Sequence, residues 1–239
     1  MVQAANAALQ TTGYVLTFRD RVMIGLGLKI HGSFRSLVDD ARVGRSEAMH
    51  HLKTMVESFI YFYVVRSDPS EATAMQILAE VCYRKRLFCL RNPEYTDPDD
   101  TSFWDSRLTQ LEGQGAQRIG RTSLEVLASR DSVQLRQWYD GVYTAACEPA
   151  HITDLLDFMP TEDDAAIDLS GSRFAHIDAR LALDRGIDIV LQIVGIASRE
   201  NVIGVTVEAL AEYEARCTAI RRTPADGAPS SDDPQKEGA

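Results

Sequence analysis

WYDGVYTAACEPAHITDLLDF, residues 138–158, is the stretch around which we expect the chain to be organised. Its first half continues an amphipathic helical pattern of aromatic and small residues. Pro149 then breaks the regular hydrogen-bond ladder, because proline has no backbone N–H and its ring clashes with the preceding turn. The stretch therefore predicts the end of one helix, a short break at Glu148-Pro149 and the start of another helix.

A set of polar side chains lies on both sides of this break at helical spacing. Tyr143, Cys147 and His151 are separated by four and four residues, so they lie on one side where the helix is continuous. Glu57 lies in the middle of another apolar helix, where a carboxylate is costly unless it is paired and hydrogen-bonded. We predict a polar cluster of Glu57, Tyr143 and His151, with Lys53 one turn before the glutamate.

Two interpretations of this cluster stay open. As a structural element it sets the register of the helices that share it. As a catalytic site it pairs the Glu57 carboxylate with the His151 imidazole to move a proton, with Tyr143 as the third polar group. Histidine titrates near neutrality, and a neighbouring carboxylate orients its ring. Cys147 is a candidate nucleophile beside His151, and a small core cysteine is the alternative.

Helical periodicity runs through most of the chain and predicts an all-α fold. Apolar residues recur at steps of three, four and seven, and no alternating run predicts a sheet. We expect a single helical bundle of six to eight helices over residues 13–222, with a flexible lead at residues 1–12. Residues 223–239 are rich in Pro, Gly, Ser and Asp and are expected to be disordered. The apolar helix expected at residues 173–199 is placed centrally, and its part after Gly186 suits a homodimer contact equally well.

Small residues on the early helices suggest packing details. Gly25, Gly27 and Gly32 interrupt one helix, which predicts either the close approach of a neighbour or a bend. Cys82 and Cys89 lie two turns apart on one face and are expected in the core. Asp68 is expected to cap a helix whose first residue is Pro69.

Composition bounds the function. The chain has 239 residues, 35 acidic against 25 basic, for a net charge of −10. An acidic chain does not suit duplex nucleic acid, although the basic run Arg84-Lys85-Arg86 is able to contact phosphates if the partner is RNA. No apolar run is long enough to span a membrane. Four cysteines without a CxxC pair indicate a reducing, cytoplasmic setting.

Common catalytic motifs are absent from the sequence. No phosphate-binding glycine loop, dinucleotide-binding fingerprint, HExxH or GxSxG motif occurs, and no cofactor is predicted. One alternative is a metal site in the bundle, made by His31, His151 and either His176 or His50 turned inward. His50 and His51 are adjacent, so at most one of them faces inward.

The segment SEAMHHLKTMVESFIYFYVVRSDPSEATAMQIL, residues 46–78, resembles the helix pair of the DUF5677 family of bacterial helical proteins. Leu52, Lys53 and Glu57 stand in the places of the family's Leu, Arg and Glu on an apolar helix. Tyr143, Cys147 and His151 resemble its later Tyr-xxx-Ser-xxx-His signature, and the resemblance spans roughly residues 45–200. Two departures are lysine for arginine, which loses the bidentate fork, and cysteine for serine.

The family has no settled activity. The absence of catalytic motifs favours a binding or interaction module, and the resemblance implies a link to stress or phage defence. Its build is similar in outline to HEPN-type ribonuclease toxins, which use a closely spaced Arg and His. Residues 143–147 contain no arginine. The absence of this arginine argues against a nuclease. The alternative function is nevertheless a metal-independent ribonuclease that uses His151 as acid and base and Glu57 to orient it, with Tyr143 and Lys53 near a phosphate.

Overall fold

A computed structural model describes residues 16–119, 124–131, 133–147, 175–199 and 207–222. Within these residues the chain is helical and contains no strand, which confirms the all-α prediction. The described residues form eight helices: α1 Phe18–Arg42, α2 Ala48–Ser67, α3 Ala72–Arg91, α4 Pro98–Gly113, α5 Leu124–Asp131, α6 residues 133–147, α7 Ala175–Arg199 and α8 Val207–Arg222. A short 3₁₀ turn, Pro93–Tyr95, joins α3 to α4. None of the described helices combines the length and apolar character that crossing a bilayer requires.

The described residues fall into two compact units. Unit 1 contains residues 29–57, 138–147, 175–199 and 207–222, and unit 2 contains residues 16–28, 58–119, 124–131 and 133–137. The helical domain predicted at residues 13–222 is thus divided internally. The predicted lead at residues 1–12, the break at Glu148-Pro149 and the predicted tail at residues 223–239 lie outside the described residues.

Helix α7 forms much of the core of unit 1. Ile187 and Ile189 are completely buried, and Val190, Val194 and Ile196 are buried with them. The prediction that this helix is central is confirmed for the described part of unit 1. These apolar side chains are used within the chain itself, so they do not form an exposed surface for a second copy.

Two arginines link helix α8 to α7: Arg180 of α7 donates a hydrogen bond to the backbone carbonyl oxygen of Arg221 at 2.7 Å, and Arg221 itself contacts α7. The Arg221 guanidinium donates a hydrogen bond to the backbone carbonyl oxygen of Asp184 at 2.7 Å. It also pairs with the carboxylates of Asp184 and Asp188. Cys217 is buried on the same helix, so α8 contributes both an apolar and an ionic contact.

Unit 2 has a core between α3 and α4. Its buried members are Ala79, Cys82, Leu108, Leu111 and Ala116. Cys89 is buried as well, so the prediction of two core cysteines on one face of α3 is confirmed.

The close packing at a glycine occurs at a position that the sequence did not single out. A Cβ atom added at Gly25, Gly27 or Gly32 would meet no atom of the described residues within 4 Å, so the close approach is wrong there, and the alternative of a bend stays a prediction. At Gly186 of α7 an added Cβ would lie 3.0 Å from Leu37 Cδ1 on α1. Leu37 is completely buried, so the absence of a side chain at Gly186 is what lets α1 and α7 meet.

Two aspartates organise the ends of helices in unit 2. Asp68 accepts hydrogen bonds from the backbone amides of Ser70 and Thr73, both at 2.8 Å. The helix nevertheless begins at Ala72, so the prediction that Pro69 is its first residue is wrong, although Asp68 does satisfy an amide of the first turn. Asp97 caps α4 in a reciprocal box with Asp100.

Candidate functional site

Helix α6 carries the aromatic part of the candidate site and is not a regular α-helix. Val133–Gln137 and Thr144–Cys147 are α-helical, and Trp138–Tyr143 between them forms a wider π-helical turn. The Thr144 hydroxyl donates a hydrogen bond back to the carbonyl oxygen of Asp140, which competes with the backbone ladder. Turns of this kind are frequent at functional sites because they re-aim side chains.

Two tyrosine rings stack along this turn. The ring centroids of Tyr139 and Tyr143 are 5.2 Å apart, and the ring planes differ by 20°. The side chain of Tyr143 also interacts with that of Cys147, one turn further on. The π turn and the following α turn therefore hold three side chains in a row: Tyr139, Tyr143 and Cys147.

Glu57 lies close enough to this row to act on it electrostatically. Burial raises the pKa of Tyr143 to about 12, and electrostatic interactions with Cys147 and with Glu57 contribute in the same direction. Negative charge nearby disfavours the tyrosinate. At neutral pH Tyr143 is therefore a neutral phenol, able to donate a hydrogen bond.

Two of the three predicted catalytic residues, Glu57 and Tyr143, lie among the described residues and interact electrostatically. Glu57, Tyr143 and Cys147 belong to unit 1, and all three are half-buried. Lys53 is half-buried one turn before Glu57 on α2. His151 lies outside the described residues, so its pairing with Glu57 or Cys147 stays a prediction.

Sequence reasoning did not assign a role to Tyr139. The signal was available, because Tyr139 and Tyr143 are four residues apart, which is the spacing of neighbours on a helix. The widened turn between them had no comparable signal, since Asp140-Gly141 is compatible with several backbone conformations.

The described histidines do not form the predicted inward metal site. His31, His50 and His176 are exposed. His51 is half-buried, and its Nε2 lies 3.2 Å from Asp40 Oδ2, in agreement with the expectation that only one of the adjacent pair faces inward. Within the described ranges no three His, Cys, Asp or Glu side chains are grouped so as to hold a metal ion.

The side chains of the basic run Arg84-Lys85-Arg86 on α3 point in two directions. Arg86 pairs with Asp105 of α4, with Nε and Oδ1 at 2.7 Å. Arg84 and Lys85 are exposed, and Arg84 Nε contacts Glu80 Oε1 at 2.8 Å. Arg84 and Lys85 therefore face solvent, whereas Arg86 serves the packing of α3 on α4.

Comparison with known proteins identifies no relative. No family model, no curated protein and no solved structure matches the chain. The resemblance to the DUF5677 family therefore stays a prediction.

Proposed function

We propose that this protein is a binding module and that the Glu57–Tyr143 cluster of unit 1 is its ligand-contacting site. The observation that supports the proposal is the elevated pKa of Tyr143, about 12. An acid–base catalyst works best with a pKa near the working pH, so the Tyr143 phenol does not suit that role itself. A neutral phenol beside a carboxylate is instead a donor–acceptor pair, which suits recognition of a polar ligand.

The resemblance to the DUF5677 family extends this proposal to the cellular location and the biological role of the protein. It supports a bacterial, cytoplasmic protein with a role in stress or phage defence. All four cysteines are free, and three of them are buried, which is compatible with a reducing compartment. If the module forms a homodimer, its contact uses a surface other than the buried apolar side chains after Gly186.

A metal-independent ribonuclease is the second candidate function. The observation in its favour is that Glu57 and Tyr143, two of its three predicted catalytic residues, lie near each other. In that case His151 would supply the acid and base and Glu57 would orient it.

An RNA-cleavage assay in the presence of a metal chelator separates the two functions. The purified full chain is incubated with end-labelled single-stranded RNA, and His151→Ala and Glu57→Gln are compared with it. A binding module leaves the RNA intact in all three samples. His50→Ala is the matched control, since His50 is an exposed histidine of the same unit. Cleavage by the wild type that persists in His50→Ala and disappears in His151→Ala would overturn the binding proposal and establish the ribonuclease.

A further inference from the structure

Helix α3 presents a basic and aromatic face to solvent. Its members are Val81, Arg84, Lys85, Phe88 and Arg91, all exposed. Val81, Arg84, Phe88 and Arg91 follow one another at steps of three and four residues, and Lys85 lies beside Arg84 and three residues before Phe88, so all five are on one side of the helix. Phe88 is 53% exposed, although a side chain of this size is normally buried. We call these five residues the α3 face.

A further aromatic residue follows the end of the helix. Tyr95 closes the 3₁₀ turn after α3 and is 80% exposed, the largest value among the exposed large hydrophobic side chains described. The face contains three cations and no carboxylate. Arg84 is 71% exposed despite its contact with Glu80, whose own side chain is 16% exposed, so the guanidinium remains accessible.

The net acidity of the chain does not argue against an anionic partner at this face. Residues 148–174 contain seven acidic residues and one basic residue, and residues 223–239 contain four and one. These two segments account for nine of the ten net negative charges. The described residues of unit 2 are close to neutral overall, with 12 acidic and 11 basic residues.

We propose that the α3 face binds single-stranded RNA. Arg84, Lys85 and Arg91 contact phosphates, and bases stack on Phe88, with Tyr95 as a second platform. Proteins that bind single-stranded nucleic acid typically combine cations with exposed aromatic rings, because every unpaired base offers a flat face for stacking. The face spans about 15 Å at the helical rise per residue, enough for a few nucleotides.

Other anionic partners fit the face less well. A paired duplex does not offer its bases to an aromatic ring on a convex helix surface. A membrane-surface helix carries a broad apolar face, whereas here only Val81 and Phe88 are apolar. An acidic polypeptide would bind the cations of the face. It would not require an aromatic side chain at position 88 in preference to any other apolar one.

The proposal concerns unit 2 and does not depend on the Glu57–Tyr143 cluster of unit 1. RNA binding at the α3 face and ligand binding at the cluster therefore succeed or fail separately. Binding also requires no cleavage, so a negative cleavage assay leaves it in place.

The test is fluorescence anisotropy of the full chain with labelled oligouridine, in chelator, over a series of salt concentrations. Oligouridine is expected to bind more tightly than a duplex of equal length. For three phosphate contacts the slope of log K against log salt is expected to be about −2, at roughly −0.7 per contact for single strands. Lys85→Ala is expected to reduce the magnitude of this slope by about 0.7.

Substitution of Phe88 distinguishes stacking from apolar contact. Phe88→Leu keeps an apolar side chain without a ring and is expected to weaken binding at least about fivefold at an unchanged salt slope. Phe88→Trp is expected to retain binding. Phe103→Leu on α4, which replaces another half-exposed phenylalanine, and Lys29→Ala, which removes an exposed cation of unit 1, are the matched controls and should bind as the wild type does.

Several results would overturn the proposal. These are absence of binding at low salt, equal affinity for duplex, or wild-type binding by both Phe88→Leu and Lys85→Ala. Equal weakening by Lys29→Ala would indicate non-specific charge attraction. Polyglutamate or phosphatidylserine vesicles that bind as tightly as oligouridine would assign the face to an acidic protein or to a membrane instead.

Discussion

At the residue scale, the polar cluster depends on the charge of Glu57 near the Tyr143 phenol. Because that charge disfavours the tyrosinate, Glu57→Gln is expected to lower the pKa of Tyr143 below its value of about 12. Burial is the largest cause of the elevation, so the pKa should stay above the ordinary value of about 10. The titration of the Tyr143 ring ¹³Cζ resonance, assigned by its loss in Tyr143→Phe, measures this shift.

Glu47→Gln is the control for this titration, because Glu47 is an exposed carboxylate just before the same helix. It should leave the Tyr143 midpoint unchanged. A midpoint that is equally insensitive to Glu57→Gln would show that the carboxylate and the phenol are not neighbours.

Asp68 makes a second prediction at this scale. Hydrogen bonds from Ser70 and Thr73 hold the pKa of its carboxyl well below the usual range. A depressed folded pKa stabilises the fold above the unfolded pKa of about 3.9, and this contribution is lost as the pH falls toward the folded pKa. Asp68→Ala is expected to lower the free energy of unfolding by about 1 kcal/mol at pH 7.

Urea unfolding measures this difference, which should shrink when the experiment is repeated at about pH 3. Glu94→Ala removes an exposed carboxylate of the same unit and should change the unfolding free energy by less than about 0.5 kcal/mol. A difference between wild type and Asp68→Ala that does not depend on pH would contradict the role of the ionised carboxylate.

At the element scale, two glycines of α7 provide a matched pair. Ala at Gly195 would meet no atom within 4 Å, whereas Ala at Gly186 would press on the buried Leu37 at 3.0 Å. Gly195→Ala is therefore expected to raise the free energy of unfolding by about 0.5–1 kcal/mol through helix propensity. In Gly186→Ala the same gain in helix propensity is offset by the contact of the new methyl group with Leu37. Gly186→Val is expected to destabilise the protein by about 1–3 kcal/mol through overpacking.

Thermal or urea unfolding of the three variants checks this order. If Gly186→Val were as stable as the wild type, the result would contradict the close contact between α1 and α7 at Gly186. Helix formation itself was predictable at this scale, because apolar periodicity and end signals act within a few residues. The π turn at Trp138–Tyr143 was not predictable, since its cost is offset by contacts made elsewhere.

At the scale of the whole molecule, the four free cysteines differ in burial. Cys82, Cys89 and Cys217 are buried and Cys147 is half-buried. Burial raises the pKa of the Cys82 and Cys217 thiols, which reduces their thiolate fraction and their reactivity. We expect one thiol to react rapidly with a disulfide reagent in the native protein and four thiols to react after denaturation.

Reaction with a disulfide reagent under native and denaturing conditions counts these thiols. Cys147→Ser should abolish the fast phase, whereas Cys89→Ser should leave it intact. Fewer than four thiols in the denatured, unreduced protein would reveal a disulfide and would argue against the reducing compartment proposed above.

The amino-acid sequence by itself determined the helical class, the approximate limits of most helices and the burial of Cys82 and Cys89, because these depend on local spacing and on side-chain polarity. It also predicted a polar cluster around Glu57 and Tyr143, since a carboxylate in an apolar helix needs polar neighbours, and these two residues interact electrostatically. Only the tertiary structure decided the division into two units, the close contact at Gly186 and the turning of Arg86 away from its basic neighbours toward Asp105. Each of these depends on which distant helix lies opposite, and that choice follows from packing across the chain, on which local spacing carries no information.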